Sequence, residues 1–469
     1  MSENTRARAN IDRYIASEIA SEVEETRRLA QAKAGWSRRC ADYLSARGAE
    51  LYWTVTRLLG LGQLHDGSPA RRFAKRSQAL REFLAAESPR APTAPARRLL
   101  IDMSQNLDRH SMTGIQRVVW EISRTALRHG GVPVIVYEDR LFGCVGDLSK
   151  VAEIEIAEGD VLIVAGAWWA YPEALRNVMT TLSARGGSTV VMQHDLIPFL
   201  YRDLCNYDAD GIVGWFEKIV LNADAVVCFS NSVAREFIDH VASRQSPFKQ
   251  NLRLGWQAHG CDFSVPNSAP ISARVKKIRD DATPFFLSVS TLEPRKGYSV
   301  GLDAMENLWR AGADLRYVIV GRHGWSANAL ARRIVSHAEF GRRLFWLKDA
   351  SDAELADLYR SARALIFPSI AEGFGLALIE AAHHGLPIIA SDIPVFREIG
   401  GDAIRYFDVA DSEMLSERAR ECLAAPKIAP SIPFLTWRES TESLLAMIET
   451  GAYQFGELRD AIAARGVSR

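Results

Sequence analysis

Glu372-Gly-Phe-Gly-Leu-Ala-Leu-Ile-Glu380 places two carboxylates eight positions apart around a Gly-X-Gly turn. Leu376, Ala377, Ile379 and Ala381 follow the turn at helical spacing. Upstream, Ala364-Leu-Ile-Phe-Pro-Ser369 reads as a short buried strand. Downstream, Gly385-Leu-Pro-Ile-Ile-Ala-Ser391 reads as a helix stop and then the next strand. The stretch is therefore a strand–turn–helix–strand unit. Glu372 stands at the strand end, and Glu380 lies a couple of turns into the helix.

This arrangement suits a sugar nucleotide. Gly373 and Gly375 carry no side chain, so the backbone N–H groups from Gly373 through Phe374 and Gly375 to Leu376 can approach a diphosphate closely. The helix N-terminus adds unpaired donors and partial positive charge. Glu380 can accept hydrogen bonds from a vicinal diol such as a ribose, and Glu372 can face the group beyond the phosphates. A Gly-X-Gly turn alone is more simply a helix start with solvent-facing glutamates. Both glutamates, the flanking strands and the partner motifs together carry the functional reading.

The same alternation extends in both directions. Leu99–Asp102, Val132–Tyr137, Asp160–Ala165, Ser188–Met192 and Ala225–Phe229 read as one set of strands with helices between them. Phe285–Val289, Leu315–Val320, Arg343–Leu347, Ala364–Phe367, Pro387–Ala390 and Ala403–Tyr406 form a second set. The expected class is α/β, with two doubly wound parallel sheets. Expected bounds are a helical extension and linker over residues 1–98, a first domain over 99–275, a second over 276–433 and terminal helices over 434–469. The linker is Ser88-Pro-Arg-Ala-Pro-Thr-Ala-Pro-Ala96. A length of 469 residues fits two domains plus additions, and 48% apolar with 24% charged residues is ordinary for a globular protein. A formal net charge of zero gives no sign of a nucleic-acid partner. The six cysteines are scattered, without a C-x-x-C pair, which favours a reducing, cytoplasmic setting. The N-terminus does not read as a secretory signal, and no apolar run reaches spanning length.

Further chemistry falls at strand ends. Phe285–Val289 leads into Ser290-Thr-Leu-Glu-Pro-Arg-Lys-Gly297, where Arg295 offers a planar fork and Lys296 a point charge to phosphate oxygens. Ser188–Met192 leads into Gln193-His194-Asp195. Leu99–Asp102 is followed by a loop and Met112-Thr-Gly114-Ile-Gln-Arg117. Ser230 or Ser232 is a helix-cap candidate after Ala225–Phe229. Asp208-Ala-Asp210 has the form of a short acidic metal motif, but it precedes a helix as a capping group would.

Taken together, the two glutamates and the Thr-Leu-Glu-Pro-Arg-Lys turn resemble glycosyltransferase family 4, over roughly residues 99 to 450. The resemblance implies a GT-B fold, two Rossmann-like domains facing a cleft, and transfer with retention. It implies that Arg295 and Lys296, with the Gly373–Leu376 turn, hold the donor diphosphate, and that Glu380 holds the ribose. Glu372 would hold sugar hydroxyls, His194 would approach the donor sugar near its transferred carbon, and Gly114 and Arg117 would line the first domain's loop. No metal and no cofactor are expected beyond the nucleoside diphosphate sugar as co-substrate. The expected acceptor is a glycan or lipid-linked glycan of polysaccharide biosynthesis, and the sugar a hexose or deoxyhexose, with a guanine nucleotide slightly favoured. An epimerase or hydrolase of the same fold and a non-catalytic scaffold are the rivals. The extension, with Trp36, Tyr52 and Trp53 and an excess of positive charge, leaves three readings open: peripheral contact with the inner face of a membrane, a homodimerisation arm, or plain packing on the first sheet.

Overall fold

The computed structural model describes residues 3–32, 69–87, 98–104, 106–108, 114–145, 150–166, 172–205, 209–262 and 270–466. They fall into two compact units. The first takes in His65–Pro198, Tyr207–Cys261 and Leu435–Arg469, and the second Met1–Leu64, Phe199–Asn206 and Asp262–Phe434. Trp36, Tyr52, Trp53 and Asp208 lie outside the described residues.

The first unit is built on eight strands: β1 (Leu99–Asp102), β2 (Val132–Tyr137), β3 (Arg140–Gly143), β4 (Ala152–Glu153), β5 (Val161–Val164), β6 (Ser188–Gln193), β7 (Ala225–Cys228) and β8 (Arg253–Trp256). Their order is β4-β3-β2-β1-β5-β6-β7-β8. All pairs are parallel except β2–β3 and β3–β4. Central strands such as β5 are buried on both faces, as their unbroken apolar runs require. β3 and β4 were not legible in the sequence. The β2–β3 hairpin turns at Glu138 and Asp139, both at positive φ (45° and 64°), without the Asn-Gly or Asp-Gly pair that usually marks such a turn.

The helix Pro69–Glu87 packs on this sheet. Leu80, Phe83 and Leu84 are buried in one cluster with Met103, Leu107 and Ile135. The last part of the extension thus follows the plain-packing reading. The helix Trp437–Thr450 closes the unit from the C-terminal side. It opens with a capping box of Thr436 and Glu439, and the N–H of Cys261 bonds the carbonyl of Leu435.

The second unit holds six parallel strands: β9 (Phe285–Val289), β10 (Arg316–Val320), β11 (Leu344–Leu347), β12 (Ala364–Phe367), β13 (Ile388–Ser391) and β14 (Arg405–Phe407). Their order is β11-β10-β9-β12-β13-β14, so the winding direction reverses between β9 and β12. In open α/β sheets such a switch point leaves a crevice beyond the strand carboxyl ends. The corresponding reversal in the first unit lies between β1 and β5. The helix Glu3–Ala32 belongs to this second unit, so the two described helices of the extension go to different units.

Candidate functional site

The Pro-Arg-Lys turn and the first glutamate meet at the switch point of the second sheet. After β9 the chain forms a single 3₁₀ turn, Pro294–Lys296, which ends at Gly297 with φ +64°. A Cβ on Gly297 would stand 1.9 Å from the carbonyl oxygen of Pro368, just past β12. Only glycine therefore lets the two loops approach this closely. The N–H of Ile370 bonds the carbonyl of Arg295 at 2.8 Å, which joins the loops through their backbones.

Three side chains occupy the junction. Lys296 Nζ lies 2.6 Å from Glu372 Oε1, and Arg295 Nη1 lies 3.2 Å from Glu372 Oε2. Ser369 Oγ donates to Glu372 Oε1 at 2.8 Å, and Arg295 Nε pairs with Glu293 at 3.0 Å. Lys296 is buried, with 9% of its surface exposed. Burial lowers its pKa, the charge on Arg295 adds to that, and Glu372 offsets part of it. Burial pushes the Glu372 carboxyl up, but Lys296 and Arg295 outweigh it and hold the group below the usual carboxylate range. The carboxylate is ionised and bridges two cations.

The helix Leu376–His383 starts beside this cluster. Its N-cap is Gly375 at φ +105°, and no side chain caps it. No side chain therefore competes with an anion for its first N–H groups, while the N–H of Leu378 bonds the Gly375 carbonyl at 2.9 Å. Phe374 is buried, and a Cβ on Gly375 would stand 2.9 Å from the Phe396 ring. Glu380 is buried on this helix and accepts a hydrogen bond from the Tyr359 hydroxyl at 2.8 Å. Arg295, Lys296, Glu372 and the Gly373–Leu376 turn thus form one cluster, with Glu380 on the same helix. Ser369 and Tyr359 are partners that the sequence reading missed. Ser369 had a signal, three positions before Glu372 at a strand end. Tyr359 had none, because it reaches Glu380 only through packing of the helix Asp352–Ser361.

His194 follows β6 in the first unit. Its Nε2 lies 2.7 Å from the carbonyl oxygen of Ala165, at the end of β5. A carbonyl only accepts, so Nε2 carries the proton and Nδ1 is left as an acceptor. Burial holds the imidazole at a pKa of about 4, and it is neutral at pH 7. Phe229 lies 4.7 Å from His194 and 3.9 Å from His259, centroid to centroid. Asp195 Oδ1 accepts from the N–H of Ile197 at 3.0 Å, which fixes the loop. Ser230, and not Ser232, caps the helix Asn231–Arg244 through the N–H of Val233. Gly114 is the exposed first residue of the helix Gly114–Arg128, and Arg117 is half-buried on its first turn. Residues 109–113 lie outside the described residues, so Met112 and Thr113 are not placed. Among the described residues no three His, Cys, Asp or Glu side chains are grouped as metal ligands. None of the described helices is long and apolar enough to cross a membrane.

Residues 272–431 match the family described as Glycosyl transferases group 1. The chain is 33% identical over 378 residues to the serotype-specific mannosyltransferase WbdA of Escherichia coli, covering 74% of this chain and 44% of that protein. It is 32% identical over 221 residues to the O-antigen chain mannosyltransferase RfbU of Salmonella typhimurium, covering 47% of this chain and 56% of that protein. The chain thus spans about half the length, or less, of these curated relatives. Among solved structures, a trehalose-6-phosphate synthase, OtsA, aligns with TM-score 0.52 at 11% identity, covering 78% of this chain and 98% of that one. The sucrose-phosphate synthase of Thermosynechococcus elongatus aligns with TM-score 0.51 at 16% identity, covering 79% and 97%. The fold is GT-B, with two Rossmann-like parallel-sheet domains.

Proposed function

We propose, from the premise that this chain carries a domain of the glycosyl transferases group 1 family, that it is a retaining glycosyltransferase of polysaccharide biosynthesis. It moves a hexose or deoxyhexose, mannose foremost, from a nucleoside diphosphate sugar to a glycan or lipid-linked acceptor. The observation that carries the reading is the junction at the β9–β12 switch point. Two cations, Lys296 buried and Arg295 half-buried, and a helix start without a side-chain cap converge there, around one carboxylate. That is the charge pattern needed to hold a diphosphate as it leaves. Mannose and the guanine nucleotide rest on the mannosyltransferase names of the relatives and on the motif resemblance.

In the reaction the bond from the sugar anomeric carbon to the diphosphate oxygen breaks. The acceptor oxygen bonds that carbon on the same face. The acceptor's proton passes to an oxygen of the leaving diphosphate. Lys296, Arg295 and the Leu376 helix end neutralise charge growing on the leaving group, where a preorganised electrostatic environment acts most strongly. Glu380 holds the ribose diol. Glu372 accepts from sugar hydroxyls while keeping the two cations in place.

The test is calorimetric titration of GDP and UDP into the wild type, Lys296→Ala and Glu380→Ala, followed by transfer assays with the matching sugar nucleotides. Binding of one nucleotide that is lost in both variants supports the donor site. Free sugar or an epimer released as fast as transfer favours the hydrolase or epimerase reading. Absence of binding to GDP, UDP, dTDP and ADP favours a non-catalytic scaffold.

A further inference from the structure

The N-terminal helix Glu3–Ala32 turns a largely polar face to the second sheet's loops. Ile11 and Tyr14 are buried on it together with Glu22 and Glu25, while Ile15, Ile19 and Val23 are only half-buried. Carboxylates are not buried without partners, and each of these has one. The Tyr14 hydroxyl donates to the carbonyl oxygen of Pro294 at 2.5 Å. One turn on, Glu18 Oε1 accepts from Ser299 Oγ at 2.5 Å. One turn further, Glu22 accepts from the N–H groups of Asn328 and Ala329 at 3.2 and 2.8 Å, and from Asn328 Nδ2 at 2.7 Å. Glu25 then pairs with Arg332 at 2.7 Å. The spacing i, i+4, i+8 keeps these groups on one helix stripe.

The elements they reach need such partners. The helix Tyr298–Arg310 has Gly297 as its N-cap, and the helix Asn328–Val335 has Ala327; neither has a side-chain cap of its own. Glu22 supplies the missing cap of the second, and Glu18 places a carboxyl at the first turn of the other. The two helices follow neighbouring strands of the second sheet, β9 at the switch point and β10 beside it. Tyr14 acts one step closer to the chemistry. The Pro294 carbonyl also accepts from the N–H of Gly297 at 3.1 Å, so Tyr14 is the second donor on a carbonyl of the turn that carries Arg295 and Lys296. The next carbonyl of that turn, that of Arg295, accepts from the N–H of Ile370 in the loop after β12. Burial pushes the Tyr14 phenol up, so it stays a donor.

We propose that Tyr14 is a positioning residue for Lys296, and that the N-terminal helix is a strut for the donor-diphosphate loops. The inference rests on the donor-site reading above. With Tyr14 in place both carbonyls have a donor from outside the turn. Without its hydroxyl, the Pro294 carbonyl loses its outer donor and the lysine is held from the β12 side alone. The effect falls on the phosphate beyond the first, not on base or ribose.

The experiment titrates GDP and GMP (or UDP and UMP, for the base the wild type binds) into full-length wild type, Tyr14→Phe and Glu22→Gln. Hydrogen exchange over residues 290–300 is followed in each. One lost hydrogen bond predicts about fivefold weaker diphosphate binding by Tyr14→Phe. Monophosphate binding should change less than the diphosphate value, and exchange in the turn should quicken. Glu22→Gln keeps an acceptor oxygen and should shift the diphosphate in the same direction by less. Equal affinities for wild type and Tyr14→Phe, or equal weakening of both nucleotides, overturn the proposal. A wild type that binds no nucleotide overturns the donor-site reading instead, and this one with it.

Discussion

Replacing Glu372 with glutamine should make the protein less stable and make it bind the nucleoside diphosphate more tightly. The carboxylate sits 2.6 Å from Lys296 Nζ and 3.2 Å from Arg295 Nη1. At an effective dielectric constant of about 20, those separations correspond to gross attractions of about 6 and about 5 kcal/mol. Glutamine removes both attractions and leaves two neighbouring cations, one of them buried, with less counter-charge. Loss of one partner from a buried pair has a net effect of about 3–5 kcal/mol. Arg295 retains Glu293 at 3.0 Å, which points to the lower end. A bound diphosphate restores the missing negative charge and no longer competes with a carboxylate. Its affinity should therefore rise about tenfold, a linked gain of about 1.4 kcal/mol. Sugar transfer should fall, because glutamine offers the sugar hydroxyls one neutral acceptor oxygen in place of two charged ones. Chemical unfolding, read by hydrogen exchange in the β9 and β12 peptides with and without GDP or UDP, separates the two effects. A variant as stable as the wild type, with unchanged nucleotide affinity, would refute the view that this carboxylate balances the two cations.

Two further outcomes are expected. Gly297→Ala puts a Cβ 1.9 Å from the Pro368 carbonyl oxygen at a φ of +64°, so it must push the two loops apart. Calorimetry should show diphosphate binding lost while circular dichroism stays near wild type, and retained affinity would contradict the close approach. The His194 pKa of about 4 lies below its unfolded value, so the folded state binds fewer protons between about pH 4 and 6.5. The stability contributed by neutral His194 is then present above about pH 6.5 and lost as pH falls towards about 4, by at most about 3 kcal/mol. His259, also depressed by burial and by His194, acts in the same direction. Urea titrations at several pH values on wild type and His194→Asn should show a flatter profile for the variant, and identical profiles would count against a buried neutral imidazole.

The parallel strands of both sheets are legible in the sequence because fully buried strands must be continuous apolar runs, and their ends are punctuated by Gly, Pro and Ser. Edge elements are less legible. β3 and β4 pair antiparallel beyond β2, where one face meets solvent and the turn is made by Glu138 and Asp139 in place of glycine. β8 is short, with an exposed arginine at its start. In the N-terminal helix, Ile11, Tyr14, Ile15, Ile19, Val23 and Leu29 recur at helical spacing and suggest an apolar stripe. The partners in the fold are a carbonyl, a serine, helix N–H groups and arginines, so Tyr14, Glu22 and Glu25 are buried in preference to Ile15 and Ile19.

From the chain alone, residue types and spacing determined the two α/β halves, the Gly-X-Gly turn between two glutamates and the Arg-Lys turn, since each is a local pattern of backbone freedom and charge. Only the tertiary structure decided which of these groups meet. Parallel winding carries β9 and β12, nearly 80 residues apart in sequence, to neighbouring places at the switch point, and so brings Lys296 to Glu372. It also decided that His194 is neutral with its proton on Nε2, and that Tyr14 of the N-terminal helix bonds the Pro294 carbonyl of the Arg-Lys turn. Burial and long-range hydrogen bonds set those states, and neither is encoded in any short stretch of residues.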